Sequence, residues 1–177
     1  MKKITKTKLG VFIVENDVFQ DDRGFFMECW RKESYNSEVT PHNFVQDNVS
    51  YSRRGVLRGF HCQVGERPQG KLVQVFSGKI FDVVVDIDPK SQFYGKTESF
   101  YLTPGFQVFI PGSFAHGFQV LSPSALVAYK CTEYYNKKNE RTIIYNDPKI
   151  DIQWPLTPIL SDKDKAGILL KDLNYGN

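Results

Sequence analysis

Between Gly55 and Lys71 the chain reads Gly-Val-Leu-Arg-Gly-Phe-His-Cys-Gln-Val-Gly-Glu-Arg-Pro-Gln-Gly-Lys, which sets Arg58, His61, Gln63 and Lys71 within seventeen residues and among four glycines. Histidine exchanges protons near neutral pH, while arginine and lysine hold anions. Held on adjoining strands, these side chains suit proton transfer on an anionic substrate. A carboxylate behind the second ring nitrogen of His61 would fix its tautomer and stabilise the imidazolium. Lys71 could steady a developing oxyanion in a partly dry pocket. Reversible proton removal beside a carbonyl also needs an acid on the opposite face, a part that a tyrosine can fill. The residue types alone choose neither the tyrosine nor the carboxylate.

A second histidine, His116, follows the Pro-Gly turn of Ile110-Pro111-Gly112-Ser113-Phe114-Ala115-His116-Gly117-Phe118. A lone strand histidine is more often a packing residue than a catalyst, but two on separate strands beside glycine turns shift the balance toward chemistry. The third, His42, sits in a Thr-Pro-His-Asn loop and is expected in solvent. A jelly-roll metal centre usually opens with His-x-His. Here Gln63 takes the second place, although Pro111 to His116 keeps the spacing of the second half-motif. Transition metals want three or four ligands, so the chain is read as metal-free. Asp82 and Asp86 fall on one strand face and could form an acid/base pair, but such carboxylates more often cap turns or pair with lysines. Arg23 and Glu28, taken alone, read as surface ion-pairing residues.

Gly55-Val56-Leu57 reads as the entry to one strand, Gly65 to Gly70 as a turn, and Leu72 to Phe76 as the next strand. A strand over residues 9–14 comes first, and the polar stretch 31–42 holds a weak helical candidate at Lys32–Ser37. Ser77-Gly78 suggests a hairpin between residues 71–76 and 79–87. Further strands at 97–102, 107–110, 117–120 and 125–132 have the short spacing of a sandwich or barrel. The prolines of Trp154-Pro155-Leu156-Thr157-Pro158 extend the tail, and Ser161 is suited to N-cap a short helix carrying Asp162 and Asp164 in its first turn.

One domain spanning 1–177 is the natural expectation for 177 residues, enough to bury a real core. Fourteen Phe and nine Tyr against two Met lean toward strands. A net charge of +3 with no Lys/Arg block argues against nucleic acid. No apolar run reaches the ~20 residues of a membrane helix, and the lysine-rich start lacks an apolar signal core; a cytoplasmic protein is expected. Cys29, Cys62 and Cys131 are odd in number and widely spaced, which favours free thiols over a disulfide framework or zinc site.

From Val11 to about Ile168 the chain resembles the dTDP-4-dehydrorhamnose 3,5-epimerase family. The likeness rests on Asp22-Arg23-Gly24-Phe25-Phe26-Met27-Glu28, Gln46-Asp47-Asn48, the Gly55–Gln63 stretch, Gln69-Gly70-Lys71-Leu72-Val73 and Phe81-Asp82-Val83-Val84-Val85-Asp86. It continues through Ile110-Pro111, Ala115-His116-Gly117-Phe118, Tyr129-Lys130, Tyr134-Tyr135, Asn146-Asp147-Pro148, Trp154-Pro155 and Leu160–Asp164. The resemblance implies a mainly β, cupin-type jelly roll with short flanking helices, a homodimer, and no metal or organic cofactor. It implies inversion of C3 and C5 of dTDP-4-keto-6-deoxy-D-glucose through enolates, toward dTDP-L-rhamnose. By residue match His61 becomes the base, Asp164 its carboxylate partner, Tyr129 the acid and Lys71 the group that steadies the enolate. Arg23 and Arg58 match residues that hold the nucleotide-sugar, with Glu28, Gln46, Asn48, His116, Glu140 and Lys163 around it, and Tyr135 matches one that stacks on thymine.

One conflict stands: in a flat strand Arg58 and His61 would face opposite ways, so either Gly59 marks a bulge or the site is shared across a dimer. Phe60 and Cys62 depart from the family's usual leucine and aromatic and could alter how deeply the sugar sits. Asp88 stands where an arginine commonly follows, and Ser91-Gln92-Phe93 replaces Ser-Pro-Thr. The alternatives are a 3-epimerase on a related nucleotide-sugar, a non-catalytic cupin that binds sugar nucleotides, and a metal-dependent cupin oxygenase.

Overall fold

The computed structural model describes residues 3–175. In chain order the strands are β1 (Lys3–Lys6), β2 (Phe12–Glu15), β3 (Phe19–Asp21), β4 (Gly24–Phe26), β5 (Gln46–Arg53), β6 (Leu57–Gln63), β7 (Lys71–Ser77), β8 (Ile80–Asp86), β9 (Thr97–Leu102), β10 (Phe106–Ile110), β11 (Phe114–Val120), β12 (Ser124–Cys131) and β13 (Glu140–Thr142). Helix α1 (Lys32–Glu38) precedes β5, and α2 (Asp162–Lys165) follows β13. The strands form a six-stranded sheet ordered β1-β2-β10-β7-β12-β5, a five-stranded sheet ordered β13-β6-β11-β8-β9, and a separate β3-β4 hairpin. With every pairing between these strands antiparallel, the result is the expected cupin-type jelly roll.

Period-two patterning explains the packing. On β8, Ile80 and Val84 face between the sheets, where they meet Val73, Val75, Val108, Ile110, Phe118 and Val127. Phe81, Val83, Val85 and Ile87 face the other way into a second core closed by Ile143, Ile150, Leu170 and Trp154 of the C-terminal segment. Burial on both sides accounts for the near-continuous apolar run of this strand. A third cluster, Val14, Leu72 and Phe109 with Tyr35 and Val39, seats α1 on the outer face of the six-stranded sheet.

The expected hairpin at Ser77-Gly78 is not formed: β7 belongs to the six-stranded sheet and β8 to the five-stranded one. Gly78, at φ +89°, turns the chain from one layer to the other, which local turn chemistry cannot distinguish from a hairpin. Residues 9–14 also begin later than expected, as β2, and pair with a β1 that the sequence did not signal. Both helices lie where expected, and Ser161 caps α2 by accepting from the Asp164 amide at 3.2 Å. His42 is exposed. Cys62 and Cys131 are buried, Cys29 is half-buried, and all three are free thiols. Among the described residues no helix is long and apolar enough to cross a membrane.

Candidate active site

A cavity of about 210 Å³ opens between the sheets, lined by Ser50, Arg58, His61, Lys71, His116, Phe118, Tyr129, Glu140 and Lys163. The five-stranded sheet supplies Arg58 and His61 from β6, His116 and Phe118 from β11, and Glu140 from β13. The opposing sheet supplies Ser50 from β5, Lys71 from β7 and Tyr129 from β12. His61 and Tyr129 therefore approach the cavity from different layers.

His61 Nε2 lies 2.6 Å from Asp164 Oδ1. The other carboxylate oxygen accepts from Ser161 Oγ at 2.6 Å, so the cap of α2 also orients the acid. Burial works against the Asp164 charge, but the His61 and Ser161 hydrogen bonds, the His61 charge and the Gly59 amide outweigh it and hold the carboxyl below the usual aspartate range. Lys71 donates a long hydrogen bond to the His61 carbonyl, 3.4 Å. Burial pushes its ammonium down, against the pull of Cys131, Cys62 and Glu140. Burial pushes the Tyr129 phenol up, Cys131 adds to the rise and Arg58 opposes it, so the phenol keeps its proton at neutral pH.

The opposed directions of Arg58 and His61 are resolved by a bulge. Against β11 the register runs His61 to His116 and Arg58 to Phe118, so β6 spends one more residue than its partner over that interval. Gly59 sits there at φ +133°, and a Cβ at that position would lie 2.4 Å from Gly117 Cα. The extra residue turns both side chains into the cavity, and Arg58 Nε is steadied by Ser52 Oγ at 3.0 Å. Phe60 and Cys62 point the opposite way, into the outer core, with the Phe60 ring tilted against Trp154, centroids 5.5 Å apart. They do not line the cavity, contrary to the expectation that they alter the depth of the sugar. Asp88 and Ser91 serve the turn after β8: the Asp88 amide and Ser91 Oγ bond the two oxygens of Asp86 at 2.9 and 2.6 Å. Asp86 is thus a turn cap, and Asp82 pairs with His116 rather than with it, Oδ2 to Nε2 2.7 Å.

The remaining expected residues fall into two groups. Glu140 ties the rim together: Lys163 Nζ donates to Oε1 and Tyr135 Oη donates to Oε2 at 3.0 Å. Partial burial raises the Glu140 carboxyl, yet the Lys163 and Tyr135 hydrogen bonds with the Lys163 and His61 charges bring it below its ordinary value. Gln46 accepts from the Tyr135 amide at 2.9 Å and donates to Asn48 at 3.1 Å, on the same face of β5 as Ser50. Arg23 and Glu28 lie elsewhere. Arg23 forms an exposed pair with Asp21 beside the β3-β4 turn, and Glu28 pairs with Arg31, both at 2.5 Å.

Three contributors carried weak sequence signals. Ser50 follows Gln46 and Asn48 at period two, and Phe118 follows His116 likewise, so strand alternation points to both. Gln63, the residue that interrupts His-x-His, is buried. It donates to the carbonyls of Arg67 and Tyr134 and accepts from the Asn136 amide, pinning the loop that presents Tyr135. Among the described residues no cluster of three or more His, Cys, Asp or Glu is placed to hold a metal ion.

Fold and cavity define a jelly-roll protein of the cupin type, with a histidine–carboxylate pair and a protonated phenol on one pocket. The sequence profile of the dTDP-4-dehydrorhamnose 3,5-epimerase family matches residues 6–172. The dTDP-4-dehydrorhamnose 3,5-epimerase of Neisseria gonorrhoeae is 48% identical over 161 residues, covering 89% of this chain; the chain spans only about half of that relative's length, 49%. The enzyme of the same name from Shigella flexneri is 44% identical, with 97% of this chain and 98% of the relative covered. The crystal structure of a dTDP-6-deoxy-D-glucose-3,5-epimerase from Legionella pneumophila, in complex with dTDP-4-keto-L-rhamnose, superposes with a TM-score of 0.94 at 42% identity, covering 98% and 95% of the two chains. The chain belongs to the dTDP-4-dehydrorhamnose 3,5-epimerase family, a family of isomerases.

Proposed function

We propose that the protein inverts C3 and C5 of dTDP-4-keto-6-deoxy-D-glucose, giving dTDP-4-keto-L-rhamnose for dTDP-L-rhamnose synthesis. The observation that carries this reading is the His61–Asp164 pair at 2.6 Å, opening into a cavity shared with Lys71 and Tyr129 of the opposing sheet. His61 removes the proton next to the 4-keto group, and Asp164 stabilises the imidazolium that forms. The enolate oxygen is met by the Lys71 ammonium. Tyr129 returns a proton from the other layer, which inverts the centre. Arg58 and Lys163 supply positive charge for the diphosphate, Glu140 and His116 contact the sugar-nucleotide, and Tyr135 offers its ring to thymine, with Gln46 and Asn48 beneath.

Arg23 and Glu28 fit this scheme through a second copy of the chain. Arg23 rides on a hairpin whose Phe19, Phe25 and Phe26 are 63, 52 and 70% exposed, an apolar surface that a dimer would cover. The protein then works as a homodimer in which the hairpin of one subunit completes the pocket of the other.

Incubation with dTDP-4-keto-6-deoxy-D-glucose in deuterium oxide, followed by proton NMR of the sugar, tests the reaction. Deuterium at both C3 and C5 is expected, and His61→Asn should lower the exchange by a factor of about 10²–10⁴ while dTDP still binds. Label at C3 alone would make the protein a 3-epimerase. Near-full exchange by His61→Asn would remove the mechanism.

A further inference from the structure

We propose that Asp82 is a positioning residue for His116, so that the pocket holds two histidine–carboxylate pairs: one is the base, and the other fixes a contact to the sugar. The proposal rests on the epimerase reading of the same site and adds to it a residue outside the cavity lining.

Asp82 lies in the middle of β8 with its side chain turned between the sheets, on the face that carries Ile80 and Val84, and it is 0% exposed. A carboxylate there costs several kcal/mol unless a partner compensates it. Its partner is His116, with Oδ2 2.7 Å from Nε2. Its other oxygen, Oδ1, is buried and has no hydrogen-bond partner among the described residues. The structural carboxylates of this fold look different. Asp86 bonds Asp88 and Ser91 with its two oxygens, and Asp147 bonds the amides of Lys149 and Leu170. Those residues close turns and tie down the chain. Asp82 holds only the imidazole, on a strand face where an apolar residue would pack at lower cost.

That grip has a chemical consequence. With Nε2–H donated to Asp82, the polar atom His116 has left for the cavity is Nδ1. His116 lies directly opposite His61 in the β11–β6 register, so its ring serves the sugar beside the base. Asp82 thereby fixes the tautomer and the angle at which Nδ1 meets a sugar oxygen next to the reacting carbons. Misplacing such a contact by about 1 Å can cost ~10²-fold in rate.

The test uses the full-length protein and three readouts. In wild type, ¹⁵N-resolved NMR of the histidine rings should show His116 protonated at Nε2 and protected from solvent exchange, and Asp82→Asn should abolish that protection. Asp82→Asn should lower kcat about 10–100-fold while KM and the Kd for dTDP stay within about twofold. His116→Gln and the double variant should be equally slow, because Asp82 acts only through His116. A wild-type His116 bare at Nε2 overturns the proposal without recourse to any variant, as do an unchanged kcat in Asp82→Asn or losses that add in the double variant. Wild-type protein that exchanges neither C3 nor C5 defeats the epimerase reading instead, and the ring-proton spectrum still decides whether Asp82 sets the His116 tautomer.

Discussion

Arg58 and His61 stand three residues apart on one strand and both open into one cavity, because β6 carries an extra residue against β11 between them. The residue that permits this is Gly59, whose φ of +133° and contact with Gly117 leave no space for a side chain. Gly59→Ala would place a methyl 2.8 Å from the His116 carbonyl oxygen. We expect a loss of about 1–3 kcal/mol of stability, read as a fall of several degrees in Tm, together with loss of epimerisation. A variant with wild-type Tm and activity would show that the bulge tolerates a side chain.

Tyr129 is an acid at neutral pH, and burial, which raises the phenol further, keeps it protonated into the alkaline range. Its removal should therefore separate the two halves of the reaction. Tyr129→Phe is expected to form the enolate and to return the proton from the same face by way of His61. Solvent deuterium should then still enter the sugar while net inversion falls about 10²–10⁴-fold. Loss of both in equal measure would mean that the phenol is needed to form the enolate as well.

Lys71 carries opposite implications for stability and for rate. Burial lowers its pKa in the folded chain, so the folded protein releases this proton at a lower pH than the unfolded chain does. The charged form therefore costs stability below the depressed value, and that cost is relieved as pH rises from there toward the ordinary lysine range near ~10.4. Lys71→Met should be more stable at neutral pH by about 0.5–2 kcal/mol and slower by about 10²–10³-fold. Wild type should gain on the variant in alkaline denaturant titrations. Equal stability of the two proteins across pH would exclude a desolvation cost for the charge at this position.

The proposed homodimer makes a complementation prediction. Arg23→Ala and His61→Asn should each be nearly inactive, since under the proposed scheme one removes a residue that holds the nucleotide-sugar and the other the base. Refolded together, they should regain activity, because a mixed dimer holds one pocket with both residues intact. Sedimentation should give a dimer throughout. Failure of the mixture to recover activity, with mixed dimers demonstrated, would confine each site to a single subunit.

The sequence by itself determined the strand periodicities, the free cysteines, the cap at Ser161 and the chemistry that Arg58, His61 and Lys71 could do together. These depend on residue type and on spacing within one element, which the chain states directly. It could not decide that Asp164, 103 residues beyond His61, comes within 2.6 Å of it, because no local pattern encodes such an approach. The family resemblance pointed to that pair and the fold brings it together. Tertiary structure alone decided that β7 and β8 part into different sheets, that a bulge at Gly59 turns Arg58 toward His61, and that Asp82 serves His116 while Asp86 caps a turn. Two aspartates on one strand face look alike in sequence. What separates them is the neighbour that each meets across the sheet, which depends on register, and register is set only when both faces of the strand find their cores.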